Sequence, residues 1–275
     1  MDSYYLSLGD SLAAGIQPIP RKGPWSHGYA DQLFTTLQAK NSSLQLKKLG
    51  CYTNELTAVM ISGESHCSYP HGSQLNEAVA FLGNHRVALI TLSIGAQELL
   101  DAFAAPGPIN MACVDNGLAD IKKNLPIILK TLQKAAGKVP IVGMNYYEPS
   151  LAHWLLGASG HVVATDSVKV ILMLNNTLEQ IYSAAGSPIA DVEEAFSTND
   201  FTTTVVSPDF GMIPLNVARI CQWTWMCAAL GPDIHANTEG YGVIARAFLK
   251  VIPQADEAST KRSRAQGGYV RKGRL

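Results

Sequence analysis

Short apolar runs alternate along this chain with longer segments in which apolar residues recur every three or four positions, the pattern of buried strands separated by amphipathic helices. Tyr4 to Leu8 reads as a first strand and stops at Gly9. Tyr29, Leu33 and Leu37, four apart, lie on one face of a helix, and Leu44 to Leu49 reads as the second strand. A short helix is expected from Glu55 to Ile61, then one capped by Ser73 with Leu75, Val79 and Leu82 inward. Val87 to Ser93 is apolar enough for a strand covered on both faces. Leu118, Ile121, Leu125, Ile128, Leu129 and Leu132 define the inner stripe of a long helix over 116–136, stopped by Gly137 and kinked at Pro126. Strands at 139–145 and 188–192 flank a helix over 164–185, and a last helix runs from Glu239 to Val251. The stretch 193–232 shows no clear period and reads as irregular.

Strand and helix alternating with connections of this length predict a three-layer α/β/α sandwich, with a doubly wound, mostly parallel sheet of about five strands. All of it falls in one domain, 1–253. Beyond Glu257 there are six Lys or Arg and no acid, which predicts a solvated, disordered basic tail over 254–275.

Composition narrows the partners. Of 275 residues 47% are hydrophobic and only 16% charged, with a formal net charge of −1, so neither nucleic acid nor an anionic membrane is the expected partner. No apolar stretch approaches the ~18 residues of a membrane helix. The first strand follows Met1 almost at once, which leaves no room for a signal peptide and predicts a cytoplasmic protein unless a leader has been removed. The oligomeric state is not legible. Among the cysteines, Cys51 with Cys67 and Cys221 with Cys227 could each close a short loop, leaving Cys113 alone; five buried thiols in a reducing compartment is the other reading. No C-x-x-C pair or His at zinc-site spacing accompanies them, so no structural metal is expected.

The chemistry starts where the first strand ends. In Gly9-Asp10-Ser11-Leu12 a serine stands at the carboxyl end of a strand, where open α/β sheets place their ligands. It also stands close to a helix N-terminus, whose free N–H groups favour developing negative charge. A nucleophilic serine needs a base, and the base an orienting group. Of seven histidines, only His235 sits in a loop directly before a helix, with Asp233 two residues ahead of it.

These two ends of the chain resemble the first and last blocks of the GDSL or SGNH hydrolases: Gly9-Asp10-Ser11-Leu12 at one, Asp233-Ile234-His235 with Gly240-Tyr241 at the other. Three middle segments are similar to strand-end blocks of the family's bacterial esterase and lipase branch: Leu49-Gly50-Cys51, Ile90 to Ala96, and Gly143 to Pro149. The resemblance spans Ser3 to Pro253. It implies a serine hydrolase acting on small or acyl-chain esters, needing no metal or organic cofactor. Ser11 would attack, His235 would move the proton, and the oxyanion would be held by the backbone N–H of Ser11, a backbone N–H at Thr53 and the side-chain amide at position 97.

Three positions depart from the family pattern. Thr53, or a neighbour if the register shifts, stands where the second block has glycine. Gln97 replaces the third-block Asn, setting its amide one methylene further out. Pro232 occupies the place three before the histidine where the family's acid commonly stands; either Asp233 reaches the ring instead, or a backbone carbonyl holds it. These changes support a second expectation, a weakened hydrolase that binds an ester or carbohydrate without efficient turnover. The G-x-S-x-G elbow, the P-loop and H-E-x-x-H are all absent. Trp223, Trp225, Trp25, Tyr146 and Tyr147 read equally well as pocket or as core.

Overall fold

A computed structural model describes residues 2–19, 26–53, 55–103 and 109–253. The expected basic tail and Trp25 lie outside the described residues. Five strands, β1 (Ser3–Gly9), β2 (Leu44–Lys48), β3 (Val87–Ser93), β4 (Ile141–Met144) and β5 (Ile189–Ala190), pair in parallel in the order β2-β1-β3-β4-β5. The central β1 and β3 are buried along nearly their whole length, which is why neither carries a charged residue and β3 is mostly Val, Leu and Ile. The sheet is wound in both directions from β1, so the switch point falls at the carboxyl ends of β1 and β3.

Two helical layers cover it. On one, α2 (Tyr29–Gln38) packs against α9 (Thr238–Val251), with the Tyr29 and Phe248 rings stacked at 4.9 Å. On the other, α3 (Thr57–Ser62) and α4 (Gln74–Asn84) pack on α5 (Met111–Ala136), and α5 packs on α6 (Ala158–Ala184). The expected three-layer α/β/α arrangement is the one observed.

Several boundaries differ from the sequence expectation, each for a local reason. The helices α5 and α6 begin five and six residues before their expected starts at 116 and 164. Their first turns are largely exposed and carry no apolar stripe, and α5 takes its cap from Asn110, whose side chain accepts from Cys113 N–H. Pro126 lies on the exposed face and α5 continues through it. In α4 the buried face is Gln74, Leu75 and Ala78, with Val79 and Leu82 half-buried at its edge. The segment 193–232 is not irregular: it holds α7 (Val192–Ala195), an antiparallel hairpin of β6 (Thr204–Ser207) and β7 (Gly211–Pro214), and α8 (Leu215–Trp223). Cys51–Cys67 and Cys221–Cys227 form disulfides and Cys113 is free. Among the described residues no helix is long and apolar enough to cross a membrane, and no cluster of three or more His, Cys, Asp or Glu is arranged to hold a metal ion.

Candidate active site

Ser11 opens a four-residue helix, α1 (Ser11–Ala14), directly after β1. The turn between them depends on Gly9, which has φ +124° and lies so close to β3 that a Cβ there would sit 1.8 Å from the Ser93 carbonyl oxygen. No other residue fits. That close approach lets Asp10 N–H donate to the Ser93 carbonyl at 2.8 Å. The Asp10 carboxyl, only 5% exposed, then accepts from Leu12 N–H at 3.0 Å, Ser93 Oγ at 2.9 Å and Tyr146 Oη at 2.7 Å. Burial pushes this carboxyl up and the bonds from Tyr146 and Ser93 pull it down, with burial prevailing.

Two amide side chains fix the flanks of the turn. Gln74 grips both backbone groups of Gly9, accepting from its N–H at 2.6 Å and donating to its carbonyl at 3.0 Å. Asn175 does the same for Tyr146, at 2.9 Å each way. Gln74 also donates to Glu55 at 2.7 Å, and Ser65 Oγ donates to the other Glu55 oxygen at 2.8 Å. Burial pushes Glu55 up to about 7. Sequence reading missed both clamps. No local pattern in the sequence marks Gln74 or Asn175 for these bonds.

His235 arrives from the other end of the chain. Its Nδ1 lies 2.7 Å from Asp233 Oδ1, and its backbone N–H donates to the same oxygen at 2.9 Å. A carboxylate only accepts, so Nδ1 carries the proton and Nε2 is left to accept. Ser11 Oγ lies 3.0 Å from that Nε2. For Asp233, burial acts upward, but the bonds from the His235 ring and backbone, with the attraction of the ring, outweigh it and hold the carboxyl below its ordinary value. The spacing of two thus places the carboxylate under the ring, through a turn rather than an extended segment.

The loop carrying His235 is fastened to its neighbour by backbone bonds. Trp225 N–H donates to the His235 carbonyl at 3.1 Å, and Asn237 N–H to the Trp223 carbonyl at 2.9 Å. Thr224 and Ala236 form an antiparallel bridge, and the Cys221–Cys227 disulfide ties the last turn of α8 to the turn that follows the bridge. Tyr147 Oη adds a bond to the Ile234 carbonyl at 2.8 Å.

Ser11 and His235 face a cavity of about 160 Å³, close to the size known to hold one benzene ring. Leu99, Leu100, Phe103, Val170, Ile171 and Leu174 make its apolar end; Gln97, Tyr146, Tyr147, Glu148 and Ser150 also line it. Glu148, 3% exposed, caps the turn over Pro149–Leu156 by accepting from Ser150 N–H at 2.8 Å, and burial pushes its carboxyl up to about 7. Gln97 opens the turn that follows β3. Thr53 is half-buried in the loop after β2, is followed by a residue outside the described set, and does not line the cavity. Tyr146 and Tyr147 are both pocket and core. Trp223 and Trp225 are not on the cavity wall: Trp223 Nε1 donates to Glu239 at 3.1 Å, and Trp225 backs the His235 loop.

No protein-family model matches the sequence, and no curated protein does. Solved structures match the fold closely. A lipase from a goat rumen metagenome aligns over 90% of this chain and 96% of its own, at TM-score 0.57 and 14% identity. A GDSL-like lipase of Parabacteroides merdae aligns over 90% and 94%, at TM-score 0.56 and 12% identity. Phospholipase A1 of Streptomyces albidoflavus aligns over 92% and 100%, at TM-score 0.53 and 14% identity. The fold of this chain is that of the GDSL-like lipases.

Proposed function

We propose, on a fold that these lipases share, that the chain is a serine hydrolase of carboxylic esters. The observation that carries the reading is the unbroken line from Ser11 Oγ through the His235 ring to Asp233, at 3.0 and 2.7 Å, on the wall of an apolar cavity. Three groups of these types in that order make a hydroxyl nucleophilic at neutral pH. Ser11 attacks the ester carbonyl while His235 takes its proton; the ring returns that proton to the departing alcohol, and water then releases the acid by the same steps reversed. Asp233 fixes the ring's tautomer and balances the imidazolium. The oxyanion falls to the backbone N–H of Ser11, free of an intrahelical partner in a first turn, and to the Gln97 amide; Thr53, away from the cavity wall, takes no part in this reading. The modest cavity favours a short acyl or alkyl group over a long chain. No step calls for a metal or an organic cofactor.

Hydrolysis of a chromogenic acetate and of a longer-chain ester by the wild type and by Ser11→Ala tests this. Turnover that depends on Ser11, highest for the acetate, is the expected result; turnover no higher than the variant's refutes it. A second reading rests on Gln97, whose longer side chain holds the oxyanion donor less well: a protein that binds an ester or carbohydrate with little turnover. Loss of one such donor typically costs ~10²–10³ in rate and leaves most of an enzyme's acceleration, so hydrolysis remains the primary reading. Gln97→Asn should raise kcat; an unchanged or lower kcat refutes this account of position 97.

A further inference from the structure

The polar groups on the cavity wall are, with few exceptions, already committed to one another. Ser11 bonds to His235, Tyr146 Oη to Asp10, and Tyr147 Oη to the Ile234 carbonyl. Glu148 is the exception among the carboxyls. One of its oxygens caps the following turn through Ser150 N–H, while the other has no hydrogen-bond partner among the described residues. Among the described residues no Lys or Arg lines the cavity to balance it. That second oxygen is not sealed off from solvent: in a residue only 3% exposed that lines the cavity, it is open to a donor bound there.

We propose that Glu148 is a specificity residue: its second oxygen accepts a hydrogen bond from a hydroxyl on the ester that fills the cavity. A neutral hydroxyl suits the site better than an ammonium group. The remaining wall is largely Leu, Val, Ile, Phe and Tyr, with no second carboxylate free to solvate a cation, since Asp10 already accepts three bonds. A hydroxyl also needs no fixed charge state of its partner, because either form of a carboxyl presents an acceptor. The inference rests on the ester-hydrolase reading of the same cavity and names the kind of ester it takes.

Two near-isosteric pairs test it and locate the hydroxyl. Ethyl 3-hydroxybutyrate against ethyl 3-methylbutyrate probes the acyl side; 2-hydroxyethyl butyrate against propyl butyrate probes the alcohol side. In one pair the hydroxylated ester should show a KM about tenfold lower, the usual discrimination of one well-placed hydrogen bond to a charged group. Glu148→Leu should erase that ratio. Neither pair showing a preference, a preference that survives Glu148→Leu, or an equal loss on both members of each pair would overturn the proposal, the last because it marks a merely structural cap. Glu148→Gln keeps an oxygen for Ser150 and serves if the leucine variant does not fold; its ratio should fall part-way, and an unchanged ratio counts against Glu148. Calorimetric binding of the same esters to Ser11→Ala separates the two readings. There the preference is measured on intact ester, whether or not the wild type hydrolyses it.

Discussion

The two halves of the candidate site are built by different means. The Ser11 half is made of regular structure: a central strand, a glycine pressed against its neighbour and held at both backbone groups by one amide, and a buried carboxyl that accepts three bonds. The His235 half has no sheet strand beneath it and rests on a few backbone bonds to the 223–225 segment, one tyrosine hydroxyl and a disulfide. The contrast teaches that a hydroxyl at a strand end can be placed by the fold itself, whereas an imidazole on a loop needs local fasteners. Damage to the first half should therefore appear in stability, and damage to the second mainly in turnover.

The largest effect that would sharpen the comparison is on the base. Asp233→Asn should lower kcat by about 10³-fold with little change in KM or Tm, because the ring loses its favoured tautomer while the fold keeps its contacts. Steady-state kinetics beside a thermal melt checks this, and a fall in Tm of several degrees would contradict the division. Next comes Asp10→Asn, which turns an amide N–H toward groups that now donate to the carboxyl. It should cost about 2 kcal/mol and lower Tm by about 5 °C by calorimetry. An unaltered Tm would break the claim that the nucleophile's turn is held by buried bonds.

Replacing Cys221 and Cys227 together by serine should reduce kcat about tenfold, through a looser His235 loop, with a smaller proportional change in global stability. Equal Tm loss and full activity would show that the disulfide does not steady the base. The smallest effect is pH-dependent. Glu55 titrates near 4.5 when unfolded and about 7 when folded, so its neutral form favours the native state below pH 4.5, and that contribution fades as pH rises through 7. Glu55→Gln does not titrate. Its Tm should gain on the wild type between pH 5.5 and pH 6.5, by the equivalent of about 1 kcal/mol; a constant difference would show that Glu55 is ionised at both.

What the sequence made legible follows the same division. The strand at 87–93 is read to the residue, because an uncharged, mostly apolar run between Arg86 and the turn after Ser93 leaves few places for its ends. Gly9 and Ser11 are readable because a glycine at a strand end has few explanations. The hairpin at 204–214 escaped notice because Val206 and Met212, paired across it, are both exposed, so its apolar residues do not alternate toward a core. The first turns of α5 and α6 were hidden for the opposite reason: they bury too little to show a period. Gln74, Asn175 and Glu148 act by side-chain hydrogen bonds across distant segments, and no local pattern announces such partners.

The bond between Ser11 and His235 joins positions 224 apart. During synthesis the serine therefore emerges early and waits, unpaired with any base, while more than two hundred further residues are added. On the proposed function, a ribosome-bound chain that stops short of 235 has no base for Ser11, however complete its first strands are. On that reading, acquisition of activity would time the last stage of folding.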